Sequence, residues 1–268
     1  MSSTVVLTPK EAQDLIHSAL VGSGTSPENA NYFTEAILDT ELSGLEGHGF
    51  YWLQYYCSHL LSGKVDGKVI PQIHALSETS LRVDACHGFA HPASEAGFKH
   101  LIPATKAHGV AAMGVYNSYN GATLGYHTGV LARSGLLAIG ATNAVPLVAP
   151  SGGKIPVIGT NPISFAVPAS NGQIAFLVDQ STTEVTWTAL KRAAEKGEPI
   201  PPGWALDDEG NPTTDAEAGL AGSMVSSGGV RGFNIGILVE VLCTALAGGK
   251  LGPDQGSFMD DDGKPIDN

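Results

Sequence analysis

The sequence contains no stretch of eighteen consecutive apolar residues, and its opening MSSTVVLTPKE lacks the basic segment and apolar core of a secretory leader. These two absences predict a chain that neither crosses a membrane nor enters the secretory route. Charge is also scarce. Only 15% of the residues are charged, against about 25% in an average soluble domain. What charge there is leans acidic, with 14 Lys and Arg against 26 Asp and Glu and a net charge of −12. No Lys/Arg run occurs, so a nucleic-acid partner is not expected. The three cysteines, Cys57, Cys86 and Cys243, are odd in number and far apart, which points to a reducing cytoplasm and not to a disulfide framework. Common chemical signatures are missing too. There is no G-x-G-x-x-G after a strand, no G-x-x-x-x-G-K-[ST], no H-E-x-x-H and no G-x-S-x-G. The ordinary Rossmann, P-loop, zincin and hydrolase readings therefore lose their sequence support.

What remains is a chain of 268 residues, 43% hydrophobic, long enough to bury a large core. Its sparse surface charge predicts further burial in an oligomer. LTPKEAQDLIHSALVGSG predicts a helix, with Thr8 as cap, Pro9 in the first turn, Glu11 closing a capping box, and Ala12, Leu15, Ile16, Ala19 and Leu20 as its apolar face. TSPENANYFTEAILDTELSG repeats the device from Ser26 and Pro27. LQYYCSHLLSG predicts a third helix, SLRVDA a short strand, and ASEAGFKHLIPATKAHG a helix disturbed at Pro103. From about residue 110 the texture changes. VAAMGVYN, LLAIGATN, PISFAVP and IAFLVDQ are short apolar runs bounded by Gly, Pro and Asn, as strands are. NGATLGYHTGVLARSG between the first two predicts a helix and hence a strand–helix–strand unit. GFNIGILVEVLCTALAGG predicts a last apolar helix before a polar end, FMDDDGKPIDN. The fold class expected is α/β with α+β character, a central sheet over 110–180 and helices at each end. The expected divisions are a helical part over 1–109, a sheet domain over 110–230 and a returning C-terminal helix over 231–268.

Several residues carry chemistry. In GHGFYW, residues 47–52, flanking glycines leave His48 room to act as a proton-transfer group. The other reading is a helix-terminal histidine packed among Phe50, Tyr51 and Trp52. His87 and His91 beside Cys86 suggest a metal site, but Gly88 and Pro92 argue against a regular helix, so loop histidines are favoured and no metal is expected. NSYNGATLGYH (117–127) joins a strand end to a helix and offers N–H groups and hydroxyls to an anion, or is simply a capped turn. In APSGGKIPVIGTNPISFAVP (149–168), Thr160 and Asn161 could hydrogen-bond a small polar ligand or shape a sharp turn. DQSTT (179–183) again places polar groups at a strand's carboxyl end, and GGVRG (228–232) opens the last helix with one cation, Arg231.

Together GHG with GKVDGKVIP, then NSYNGATLGYH, APSGGKIPVIGTNPISFAVP, IPPGWALDDEGNPTTD and GGVRG resemble the type-2 malate/L-lactate dehydrogenases, which include ureidoglycolate and sulfolactate dehydrogenases and Δ1-piperideine-2-carboxylate reductases. The resemblance runs from the first helix to the last residue. It implies a non-Rossmann NAD(P)-binding domain with a largely antiparallel sheet, beside a helical domain built from both chain ends, in a homodimer. It implies hydride transfer between NAD or NADP and a small 2-hydroxy/2-oxo acid or cyclic imino acid, with His48 as acid/base. Thr160 and Trp52 are implied in substrate binding. Asn117, Ser118, Tyr119, Asn120, Gly121, Asp179, Gln180, Ser181, Val230 and Arg231 are implied around the cofactor. The sequence also departs from the family pattern. Gly47 replaces a common Ser, Trp52 the usual substrate-gripping Arg, and Arg231 the usual Lys. Trp187 falls near a position usually basic, and Ala189 near one where some members have an acid. Family chains also continue past this last residue, into a part that contributes to the cofactor site. A catalytically altered member, binding a small molecule without redox chemistry, is the alternative expectation.

Overall fold

The structure, a computed structural model, describes residues 5–45 and 47–268. Three helices come first: α1 (Pro9–Gly22), α2 (Pro27–Leu42) and α3 (Phe50–Ser62). Local chemistry sets their starts. Thr8 Oγ1 accepts from the Glu11 N–H while Glu11 Oε2 accepts from the Thr8 N–H at 2.8 Å, a complete capping box. Ser26 caps α2 in the same manner, accepting from the Asn29 N–H. The predicted apolar face of α1 is narrower than expected. Ala12, Ile16 and Leu20 are buried, but Leu15 is 50% exposed. Ile16 and Leu20 join Ala30, Phe33, Ile37, Trp52 and Tyr56 in the largest core cluster.

Two separate three-stranded sheets follow where one central sheet was expected. β1 (Gln72–Ser77), β2 (Ser80–Asp84) and β3 (Ala112–Tyr116) form the first, with β1–β2 antiparallel and β2–β3 parallel. β4 (Ala138–Ala141), β5 (Ile163–Pro168) and β6 (Ile174–Gln180) form the second, antiparallel throughout. The expected strand–helix–strand unit is therefore divided: β3 belongs to one sheet and β4 to the other, with α5 (Leu124–Arg133) between them in sequence. Strand pairing also crosses residue 110, because β3 pairs with β2. α4 (Ala90–His108) packs on the first sheet and α5 on the second. α4 begins earlier than expected and continues through Pro103. Its other proline, Pro92, lies in the first turn, where no intrahelical N–H bond is lost.

The remaining elements are α6 (Trp187–Lys196), a small antiparallel sheet of β7 (Ala205–Leu206), β8 (Pro212–Thr213) and β9 (Ser223–Met224), the short α7 (Ala216–Ala221), and α8 (Val230–Val241). One π turn, Leu242–Leu246, extends α8. The sequence end is not merely polar. Phe258 packs against Trp52, Tyr56 and Tyr119, and Ile266 is buried. Lys64, with a fully buried side chain, fixes this segment by donating to the carbonyls of Ser257 and Lys264 and pairing with Asp260 and Asp262.

A second buried charge ties α8 to the loops before β5. Glu240 accepts from Asn143 Nδ2 and the Gly252 N–H on one oxygen, and from Asn161 Nδ2 at 2.7 Å on the other. Asn161, itself fully buried with φ +34°, completes the link by accepting from the Ala144 N–H and donating to the Gly236 carbonyl. A buried carboxylate satisfied by donors alone tolerates no extra proton donor. Glu240→Gln keeps the shape but turns an amide NH2 toward those donors. It is expected to lower unfolding free energy by about 2 kcal/mol, read as an earlier urea midpoint with an unchanged m-value.

Candidate active site

His48 lies in the turn between α2 and α3, and three contacts hold that turn. Its own N–H donates to the Leu45 carbonyl at 2.9 Å. The Trp52 indole Nε1–H donates to the Gly47 carbonyl at 2.8 Å. Gly49, the N-cap of α3, has no side chain to satisfy the helix's first N–H groups, and Glu41 of α2 does so by accepting from the Phe50 N–H at 2.5 Å. The absence of a side chain at Gly49 is what admits Glu41, since a Cβ there would collide with that carboxylate. Gly47 is also tight, because a Cβ would fall 3.3 Å from Thr188 Cγ2.

The His48 ring is half-buried and lines a cavity of about 340 Å³ whose opposite wall is the start of α6, with Thr186, Thr188, Ala189 and Arg192. An adjoining cavity of about 380 Å³ shares Leu45 and is lined by Thr123, Gly125, Tyr126, Phe176, Leu177 and Asp179 among others. Asp179, near the end of β6, accepts from the Gly125 N–H at 2.7 Å and so satisfies the N-terminus of α5. Burial lowers the His48 pKa below the ordinary histidine value, and the nearby Asp179 charge opposes that shift. For Asp179, burial raises the pKa, while the Gly125 N–H and His48 work against it. A neutral imidazole with a carboxylate in electrostatic reach can take up a proton and, as imidazolium, give it back.

α6 is fixed to α3 by Lys191. Its ammonium donates to Tyr55 Oη at 2.7 Å, pairs with Glu195 at 3.0 Å and lies 5.6 Å from the Trp52 ring and 5.9 Å from that of Trp187. Tyr51 Oη donates to Glu195 as well.

A family model described as malate/L-lactate dehydrogenase matches residues 7–268. The chain belongs to the malate/L-lactate dehydrogenase family. It is 37% identical to a (2R)-3-sulfolactate dehydrogenase (NADP(+)) of Chromohalobacter salexigens, over 97% of this chain and 77% of that one. It is also 37% identical to Δ1-pyrroline-2-carboxylate reductase 2 of Burkholderia multivorans, over 91% of this chain and 72% of that one. Among solved structures, Δ1-piperideine-2-carboxylate reductase from Pseudomonas syringae pv. tomato superposes with a TM-score of 0.91 at 32% identity, covering 97% of this chain and 78% of that one.

Within this family framework the expected site residues divide. His48 and Asp179 line adjoining cavities. Trp52 is 6% exposed, stacks on Trp187 and lies in the core, outside the lining of both. The Thr160 carbonyl accepts the N–H and the hydroxyl of Thr182, each at 2.9 Å. Along 117–121 the polar groups are largely used within the chain. Asn117 donates to Asp84, Ser118 exchanges bonds with Asn268, Tyr119 is buried with its hydroxyl 2.5 Å from His59 Nδ1, Asn120 accepts from the Ala122 N–H, and the Gly121 carbonyl faces His127. Ser181 bonds Thr183, while Gln180, Val230 and Arg231 are exposed. His87 pairs with Asp267, and His91, in the first turn of α4, stacks on Phe33 with neither ring nitrogen bonded. Sequence reasoning passed over Arg192. The signal was present, since Thr186 and Gly197 bracket a ten-residue helix that places positions 188, 189 and 192 on one side.

Trp52→Phe removes the bond to the Gly47 carbonyl while keeping an aromatic ring in the core. The loss of about 1.4 kcal/mol of local stability is expected to quicken amide exchange of His48 and Phe50 about tenfold, measured by hydrogen–deuterium exchange. Exchange unchanged from the parent would show that the turn holds itself.

Proposed function

We propose that the chain is an NAD- or NADP-dependent oxidoreductase that moves hydride between the nicotinamide and a small 2-hydroxy/2-oxo acid or cyclic imino acid, with His48 moving the proton. The observation that carries this reading is the position of His48, half-buried at a cavity wall and within electrostatic reach of the Asp179 carboxylate of the adjoining cavity. Membership of the family and the activities named for its relatives agree with it.

The residues present fit such a cofactor. The larger cavity combines Phe176, Leu177 and the Tyr126 ring with the Thr40–Thr123 hydroxyl pair, 2.9 Å apart, a lining suited to a flat ring. Arg231 is exposed in the first turn of α8, after Gly228 and Gly229, both with positive φ. That turn and its cation suit phosphate groups. The cofactor would supply or accept the hydride, and the antiparallel β4–β6 sheet would stand where a Rossmann domain has parallel strands. Because their side chains are engaged inside the chain, Asn117, Ser118 and Asn120 would shape the cofactor loop more than touch the ligand.

His48 does the proton work. In the oxidising direction its neutral imidazole takes the proton of the 2-hydroxyl. In the reducing direction its imidazolium donates to the new alkoxide or amine. Burial favours the neutral form at pH 7, and Asp179 keeps protonation within reach.

The exposed apolar side chains of α8 and the turn after it, Val230, Leu238, Val241 and Leu246, support pairing of two chains in a homodimer. All three cysteines are free. Among the described residues no helix is long and apolar enough to cross a membrane.

His48→Gln is expected to lower turnover at least about a hundredfold while fluorescence titration still detects NADH or NADPH binding. A folded parent that binds neither nucleotide would overturn the proposal. The pH profile gives a finer check. Reduction needs protonated His48, so kcat/KM falls as pH rises through its pKa. Asp179 raises that pKa, and Asp179→Asn removes the charge yet keeps an oxygen for the Gly125 N–H. The falling limb should therefore move to lower pH in the variant, and a shift to higher pH would contradict the assigned pairing.

A further inference from the structure

The loop that joins β3 to α5 carries backbone strain near both ends. Asn117 and Ala122 have φ of +49° and +53°, left-handed values that residues other than glycine hold only where their surroundings fix them. Backbone bonds supply part of that fixing. The His87 N–H donates to the Asn117 carbonyl at 2.8 Å, Ser118 and Asn268 exchange bonds, and the Tyr119 N–H donates to the Gly88 carbonyl at 2.8 Å. A side chain reaching into the helical layer supplies more. Tyr119 is 1% exposed and packs against Tyr56 and Phe89, and its hydroxyl lies 2.5 Å from Nδ1 of His59, itself buried on α3. The other ring nitrogen of His59 lies 3.5 Å from the Asp261 carboxylate, to which the Ser58 hydroxyl donates at 2.8 Å. Burial lowers the His59 pKa, so the ring is neutral at pH 7. A carboxylate beside Nε2 favours the ring proton there, and Nδ1 keeps the lone pair that faces the Tyr119 hydroxyl.

We infer that His59 is a positioning residue for the cofactor: by accepting from the Tyr119 hydroxyl it holds the 117–123 loop in the shape that receives the nicotinamide nucleotide. The inference rests on the proposed placement of the cofactor along that loop and names what keeps the loop in place. α3 carries the His48 turn at its start and His59 near its end, so one helix sets both the proton-transfer group and the loop. The loop then runs directly into α5. There the Thr123 hydroxyl meets that of Thr40 at 2.9 Å in the larger cavity, and the Gly125 N–H reaches Asp179 at 2.7 Å. A displacement at Tyr119 is therefore passed along a few residues to the cavity wall. Lys64 completes the arrangement from the other side, because it fixes the segment around Ser257 and Asp262 that brings Asp261 to the imidazole.

The test is fluorescence titration of the full chain with NADH and NADPH, with hydrogen–deuterium exchange of residues 118–122 and urea unfolding followed on the same samples. Tyr119→Phe keeps the buried ring and loses only the hydroxyl, so the protein should remain folded. His59→Leu removes the acceptor instead. Each is expected to weaken nucleotide binding about tenfold and to quicken exchange in the loop. The double variant should lose no more than either alone, because both changes break one contact. His59→Asn, whose Oδ1 stands where Nδ1 stood, is expected to recover binding to within about threefold of the parent. Nitrogen-15 NMR should find the parent's His59 proton on Nε2. Nucleotide affinity unchanged in both single variants, even with urea stability lowered, would overturn the inference. So would losses that multiply in the double variant, or a His59 proton on Nδ1. A parent that binds neither nucleotide while loop exchange still depends on His59 would sink the hydride-transfer reading and leave the hold on the loop standing.

Discussion

One indole holds the site together. The ring of Trp52 packs among Tyr51, Tyr55, Trp187 and Phe258 and lies beneath the Lys191 ammonium, while its N–H holds the Gly47 carbonyl. The first set of contacts fixes α6 against α3, and the second fixes the turn that carries His48. Neither wall of the chamber would be set without the other. An apolar side chain with a single polar atom thereby ties together the two segments that line the His48 cavity.

Longer-range order comes from two buried charges. Lys64 gathers carbonyls and carboxylates of residues 257–264 and seats Phe258 against Trp52. Glu240 gathers Asn143, Asn161 and the Gly252 N–H, and so joins α8 to the turn before β5. Each charge is surrounded by partners of the opposite kind, the condition under which burial of an ion is tolerated. Both link segments that lie far apart in sequence, so the second sheet and the helical layer keep their register around the site.

The parts of the fold legible in the sequence were those decided locally. Thr8, Glu11 and Ser26 announce their helices because a cap is a contact over three residues. The runs that became β3 to β6 announce themselves by composition. Their pairing does not, since which strand β3 joins depends on β2, some thirty residues earlier, and so one expected sheet became two. The tail reads as polar because Asp260, Asp261 and Asp262 dominate it, yet Phe258 and Ile266 decide where it packs. His48 was visible through its glycines. Asp179 was visible as a polar strand end, and the structure places its carboxylate on the Gly125 N–H and within electrostatic reach of His48. Arg192 was hidden by an ordinary amphipathic helix, in which nothing local distinguishes a cation facing a cavity from one facing water.

The central claim is that burial keeps His48 neutral at the cavity wall, with the Asp179 charge in reach. NMR titration of its imidazole, assigned by comparison with His48→Gln, measures this directly. A midpoint below about 6.5, the ordinary histidine value, is the predicted result. A midpoint at or above that value would place the ring in water or under a dominating carboxylate, and would contradict the account.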